Sequence, residues 1–107
     1  MNQFQNKTAV ITGGAEGIGL SIAQALGKQG MNIVLADIDE QNVLEAARQL
    51  DESGVPALGV ALDVGVESQW SEAAEQTLNR FGKVHMLVNN AGVGGGTGPL
   101  ETQKEND

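Results

Sequence analysis

A short apolar run that stops at a cluster of glycines constrains the fold of this chain more than any other feature. Residues 9–11 are apolar and mostly β-branched, as in a buried strand. Beyond the glycines, Ile18, Ile22, Ala23 and Leu26 recur at the spacing of one helical face. The stretch from residue 8 to residue 30 therefore predicts a strand, a tight turn and a helix.

Three glycines in the predicted turn have the spacing G-x-x-x-G-x-G. Gly13 would let the chain turn sharply off the strand, Gly17 would let a ligand approach the backbone, and Gly19 would let the helix pack on the sheet. The N-terminus of the helix would present unpaired N–H groups and a partial positive charge, which suits a pyrophosphate. A plain tight connection between strand and helix explains the glycines equally well when they are taken alone.

A carboxylate further along the chain favours the ligand-binding interpretation. Asp37 ends the apolar run 31–36, eighteen positions after Gly19. A dinucleotide site needs an acidic residue at about this distance, at the end of the second strand, to bind the ribose hydroxyls. The two features together predict a dinucleotide-binding site.

Two more helices follow the second strand. Asp39 is a candidate N-cap for a helix that ends near residues 53–54. A third helix carries an apolar stripe from Trp70 to Phe81, both expected to anchor the core, and Gly82 ends it.

The strands are expected to begin near residues 8, 31, 57 and 84, with the third covering 57–64 and the fourth 84–88. Their apolar runs are nearly continuous, which is typical of strands covered on both faces. Alternating strands and helices with right-handed crossovers predict a parallel sheet. We expect one α/β domain over residues 1–107, a Rossmann-like doubly wound sheet in the order 3-2-1-4 between two helical layers, with its ligand over the strands' carboxyl ends.

The composition excludes several classes of function. Six basic against fourteen acidic residues give a net charge of −8, which disfavours nucleic acids and anionic membranes as partners. The chain has no cysteine, so disulfides, thiolate metal sites and thiol catalysis are excluded. No signal peptide or apolar run of membrane-spanning length is recognisable, and we therefore expect a cytoplasmic protein.

Three motifs occur in the order and spacing of one protein family. They are the TGGAEGIG sequence at residues 12–19, Asp63-Val64, and the NNAG sequence at residues 89–92. They resemble the TGxxxGIG, acidic adenine-contact and NNAG motifs of the short-chain dehydrogenases/reductases. His85 stands where that family often has aspartate; we expect a structural role for it in a buried strand.

The resemblance implies a role for residues at all four strand ends and no metal ligand. The residues that it assigns to the cofactor are Gly13, Gly17, Ile18 and Gly19 at the phosphates, Asp37 at the adenosine ribose with Ile38 next to it, Asp63 and Val64 at the adenine, and Asn89, Asn90, Ala91 and Gly92 behind the ribose.

Charge predicts NAD in preference to NADP. The Asp37 carboxylate would repel a 2′-phosphate. NADP-preferring members of the family typically place a basic residue at the position of Glu16 or of Ile38, and neither residue is basic here.

The catalytic residues of the family are absent from the chain. They include a tyrosine and a lysine in a YxxxK motif, and the sequence has no tyrosine. A capping-box pattern at residues 102–105 also predicts the start of a helix, and the sequence ends two residues after this pattern. We therefore expect the chain to be the N-terminal part of a dehydrogenase more than twice as long, inactive by itself and oligomeric, as a tetramer, when whole.

Three functions remain as alternatives. The first is an NAD-dependent oxidoreductase for an alcohol or carbonyl substrate, and the second is a small non-catalytic module that binds NAD or another adenine nucleotide. The third is a methyltransferase-like fold, which Thr12 disfavours because such sites usually have an acid at the end of the first strand.

Overall fold

The computed structural model describes residues 2–90, in which strands and helices alternate. The strands are β1 (Thr8–Thr12), β2 (Asn32–Asp37), β3 (Ala57–Ala61) and β4 (Met86–Asn89), and the helices are α1 (Gly17–Lys28), α2 (Glu40–Glu52) and α3 (Glu67–Phe81). None of these helices is long and apolar enough to cross a membrane.

The four strands form one parallel sheet in the order β3-β2-β1-β4, which confirms the predicted order. Thr12 at the end of β1 lies opposite Ala36 on one side and Asn89 on the other. The ends of the two halves of the sheet therefore meet around Thr12, where the strand order reverses and where such sheets bind ligands.

Helices pack on both faces of the sheet, so the predicted three layers are present. On one face α1 and α2 pack with Ile11 and Leu35 in one buried cluster. On the other face α3 packs over Val34 and Leu62 in a second cluster. β1 is buried along its whole length, as expected of a strand between two layers.

The helix ends follow the predicted signals. The Oδ1 atom of Asp39 accepts a hydrogen bond from the Asn42 N–H at 3.2 Å, which makes Asp39 the N-cap of α2. α3 ends at Gly82, whose φ of +85° is the left-handed conformation that favours glycine.

Several local predictions were wrong. β3 ends at Ala61 and not at Val64, and the side chain of Ile18 is 68% exposed. Trp70 and Phe81 are only partly buried at the edge of the second cluster.

The expected buried position of His85 was also wrong. His85 is exposed and precedes β4, where its Nδ1 atom accepts a hydrogen bond from the Thr8 N–H at 3.0 Å. The His85 N–H donates in turn to the Thr8 carbonyl at 2.9 Å. The residue therefore joins the amino ends of β1 and β4 and replaces a strand bond with a side-chain bond.

Candidate cofactor-binding site

The turn between β1 and α1 has a backbone that only glycine adopts readily. Gly13 has a φ of +65° and Gly17 a φ of +64°. The Gly14 N–H donates to the Ala36 carbonyl at 3.2 Å, which fastens the turn to the end of β2. The sharp turn expected at Gly13 is therefore present.

Gly19 keeps the first turn of α1 against the carbonyl of Gly13. A Cβ atom built on Gly19 would lie 2.1 Å from the Gly13 oxygen and 2.9 Å from the Asn90 Nδ2 atom. The sequence predicted that Gly19 lets the helix pack on the sheet. Its tightest contact is with the turn itself, so Gly19 sets how closely helix and turn can approach.

The N-terminus of α1 is open to a ligand. A Cβ atom on Gly17 would meet no atom of the described chain within 4 Å, and the exposed N-cap residue Glu16 makes no side-chain capping bond. The N–H groups of the first helical turn have no intrahelical acceptor, and the helix dipole favours negative charge there. Backbone groups with these properties fit a phosphate or pyrophosphate.

Asp37 connects two of the turns at this edge. Its Oδ2 atom accepts from the Ala15 N–H at 3.1 Å, and its Oδ1 atom accepts from the Asp39 N–H at 3.1 Å. Asp37 is half-buried, and each carboxylate oxygen can accept a further bond. The carboxylate therefore lies beside the glycine-rich turn with capacity left to accept bonds from hydroxyl groups.

The turn between β3 and α3 is held by side chains of α3. The Asp63 N–H donates to the Gln69 Oε1 atom at 2.7 Å, and the Trp70 Nε1–H donates to the Val64 carbonyl at 2.9 Å. The sequence had predicted Trp70 as a core residue and assigned no role to Gln69. The sequence offers one signal for such a role: both residues lie in the first turn of a helix that follows the predicted adenine-contact segment.

Two asparagines connect the end of β4 to β1 and its turn. The Thr12 Oγ1 hydroxyl donates to the Asn89 Oδ1 atom at 2.9 Å, and the Asn90 Nδ2 atom donates to the Gly13 carbonyl at 3.2 Å. Ala91 and Gly92, the other residues of that predicted motif, lie outside the described residues.

Exposed apolar side chains lie at the carboxyl edge of the sheet, one in the first turn of α1 and one on each of the β2–α2 and β3–α3 turns. Ile18 is 68% exposed, Ile38 70% and Val64 40%. Ligand sites combine apolar surface of this kind with a few placed polar groups. All of the predicted cofactor residues within 2–90 thus lie at one edge of the sheet, where no three His, Cys, Asp or Glu residues are arranged to hold a metal ion.

A parallel sheet in this order, with a glycine-rich first turn and an acid at the end of β2, is the arrangement of a Rossmann-like fold. Residues 7–107 match the family described as short chain dehydrogenase. The chain belongs to that family.

Known relatives agree with this assignment. Over 100 residues the chain is 40% identical to a diacetyl reductase [(S)-acetoin forming] of Staphylococcus epidermidis, a match that covers 94% of this chain and 39% of that protein. It is 43% identical over 97 residues to an L-rhamnose 1-dehydrogenase (NADP(+)) of Thermoplasma acidophilum, which covers 87% of this chain and 37% of that protein. The chain therefore spans about two fifths of the length of these relatives.

Solved structures show the same fold. A short chain dehydrogenase/reductase from Burkholderia phymatum, in complex with NAD, superposes with a TM-score of 0.77 at 39% identity. That match covers 81% of this chain and 31% of the other. One relative is thus seen with NAD and another is named for NADP, so the family uses NAD or NADP.

Proposed function

We propose that this chain is the N-terminal, NAD-binding part of an oxidoreductase that acts on the CH–OH group of a small alcohol or on the corresponding carbonyl. The observation that carries the proposal is the hydrogen bond between the Asp37 carboxylate and the Ala15 N–H. Because of this bond, a group that recognises ribose hydroxyls lies next to backbone that fits a pyrophosphate.

The cofactor would supply a nicotinamide that exchanges hydride with the substrate. The residues of this chain would bind its other end. The N-terminus of α1 would hold the pyrophosphate over Gly17, and the Asp37 carboxylate would accept hydrogen bonds from the adenosine ribose. Asp63 and Val64 would contact the adenine.

Charge supports NAD as the preferred cofactor. A phosphate about 4 Å from the Asp37 carboxylate would be opposed by about 4 kcal/mol per unit charge at an effective dielectric constant near 20. Asp37 is half-buried, so solvent reduces this repulsion. About a third of it would still disfavour NADP by roughly tenfold. Glu16, exposed at the N-terminus of α1, adds a second negative charge.

The chain would bind the cofactor without completing a reaction. It contains no tyrosine that could exchange the hydroxyl proton. His85 pairs with Thr8 at the amino ends of the strands, whereas the candidate site lies at their carboxyl ends. His85 therefore does not serve as a base for this site.

Calorimetric titration of the wild-type chain with NAD and with NADP tests the proposal. We expect NAD to bind at least roughly tenfold more tightly than NADP. In the double variant Asp37→Ala, Glu16→Arg this ratio should shrink or reverse, since the variant loses two negative charges and gains a positive one.

A matched variant controls for net charge. Glu75→Ala with Glu72→Arg makes the same change of charge on the exposed face of α3 and should leave the ratio unaltered. An NAD to NADP ratio that is equal in wild type and in the Asp37 variant would contradict the NAD assignment.

A non-catalytic nucleotide-binding module is the second candidate, because the chain spans about two fifths of the length of its relatives. Nucleotide binding is expected of both candidates, so the mass of the protein in its native source separates them. A product more than twice as heavy as 11.1 kDa with a YxxxK segment would favour the dehydrogenase, for which we also propose an oligomeric state. A product of 11.1 kDa would favour the module.

A further inference from the structure

We propose that Gln69 and Trp70 are positioning residues for adenine recognition. Their hydrogen bonds set the path of the backbone at Asp63 and Val64, and so determine which polar groups the β3–α3 turn offers to a base. The inference rests on the proposed dinucleotide function, and neither side chain is proposed to contact the cofactor itself.

Gln69 holds the chain just beyond the end of β3. The Leu62 N–H still donates to the Asp37 carbonyl at 2.9 Å, which continues the pairing of β3 with β2. At the next residue, Asp63, the N–H donates to the Gln69 Oε1 atom at 2.7 Å. Successive N–H groups of a strand point to opposite sides, so the Asp63 N–H faces away from β2, and the Gln69 side chain holds the chain there, just beyond the strand.

The position of Gln69 in α3 makes this bond unusual. Val66 is the N-cap residue, so Gln69 is the third residue of the helix. A glutamine at that position ordinarily bonds back to the N–H of the N-cap residue. Here the Val66 N–H donates to the Asp63 carbonyl at 2.9 Å, and Gln69 reaches past the N-cap to Asp63. Gln69 therefore bonds to Asp63 in the predicted adenine-contact segment instead of capping its own helix.

Trp70 holds the following residue. Its Nε1–H donates to the Val64 carbonyl at 2.9 Å, while its ring packs at the edge of the cluster around Val34 and Leu62. An indole has few rotatable bonds, so a partly buried ring places its N–H with little freedom. The Val64 peptide is therefore fixed in orientation by the body of α3.

With these bonds made, two polar groups remain for a ligand. The Asp63 Oδ1 atom accepts from the Gly65 N–H at 2.9 Å, but the Oδ2 atom and the Val64 N–H have no partner within residues 2–90. They are an acceptor and a donor on consecutive residues. Adenine offers the complementary pair, an amino donor at C6 next to the acceptor N1.

The test compares NAD with its hypoxanthine analogue, in which an oxo group replaces the 6-amino group and N1 carries a hydrogen. The wild-type chain should bind NAD about tenfold more tightly than the analogue, since the analogue loses a bond to a carboxylate. Gln69→Leu and Trp70→Phe should each reduce this preference to less than about threefold. Gln69→Glu keeps an acceptor at the same place and should restore it.

Gln76→Leu, at an exposed position of the same helix, makes the same substitution away from the turn and should leave the preference unchanged.

Wild-type protein that binds neither dinucleotide would contradict the proposed function. If the wild-type chain binds NAD but does not distinguish the analogue, the adenine inference is wrong. It is also wrong if Gln69→Leu or Trp70→Phe weakens both ligands equally, which would indicate a structural role only. Trp70→Phe retains an aromatic ring in the cluster, so it keeps the test valid if Gln69→Leu does not fold.

Discussion

The two turns that carry most of the candidate site are built in different ways. The β1–α1 turn is determined by its backbone, with positive φ at Gly13 and Gly17 and with Gly19 against the Gly13 carbonyl. The β3–α3 turn is held by the side chains of Gln69 and Trp70. Neither helix that follows has a side-chain cap, so both turns leave N–H groups available.

The difference corresponds to what each turn is proposed to bind. A phosphate is recognised by N–H groups that it can approach closely, so side chains would obstruct it. The edge of a base is recognised by a donor and an acceptor at defined places, so the chain must be held there by other groups. We therefore expect that a side chain at a glycine of the β1–α1 turn impairs stability or binding. A side chain at the glycine of the β3–α3 turn should have little effect.

The largest effect is expected for Gly19→Ala. Its Cβ atom would lie 2.1 Å from the Gly13 oxygen, so α1 or the turn must move by about 1 Å to restore ordinary contact. Overpacking of this kind costs about 3 kcal/mol, more than the benefit of alanine over glycine inside a helix, about 1 kcal/mol. Urea denaturation should report the loss of stability.

Ser21→Ala, an exposed change in the same helix, is the control and should alter the free energy of unfolding by less than about 0.5 kcal/mol. If Gly19→Ala is as stable as Ser21→Ala, the backbone of the first turn is not the rigid element described above.

A smaller loss of stability is expected for Gly17→Ala, together with a large loss of binding. The positive φ of +64° costs alanine about 1 kcal/mol, but the new methyl group would meet no atom of the described chain within 4 Å. The methyl group would instead occupy the space proposed for the pyrophosphate. Calorimetry should therefore show NAD affinity falling by roughly tenfold or more while the chain remains folded. Unchanged NAD affinity would mean that the pyrophosphate does not lie over Gly17.

Much of this architecture could be predicted because it depends on local patterns. The alternation of predicted strands and helices predicts the sheet order, since parallel strands with right-handed crossovers allow few arrangements. The need for positive φ at Gly13 and the capping role of Asp39 are likewise properties of short segments, and the structure has both.

The features that could not be predicted depend on where a strand ends within an apolar run or on which helices cover it. The end of β3 could not be located because the apolar run continues through Leu62 and Val64, beyond the last strand residue Ala61. The exposure of His85 could not be predicted from its neighbours. Apolar residues around it indicate a strand, but they do not show how many helical layers cover that strand. Leu87 of β4 illustrates the same point, being apolar and 55% exposed.

The smallest effect is expected for Gly65→Ala, in the β3–α3 turn. Gly65 has no positive φ, and its Cβ atom would lie 3.4 Å from the Asp63 Oδ1 atom, which is ordinary contact. Stability should change by less than about 0.5 kcal/mol. NAD affinity should stay within about twofold of wild type, because Gln69 and Trp70 still hold Asp63 and Val64. A loss comparable to that of Gly19→Ala would mean that the backbone and not the side chains of α3 determines this turn, and the distinction between the two turns would be wrong.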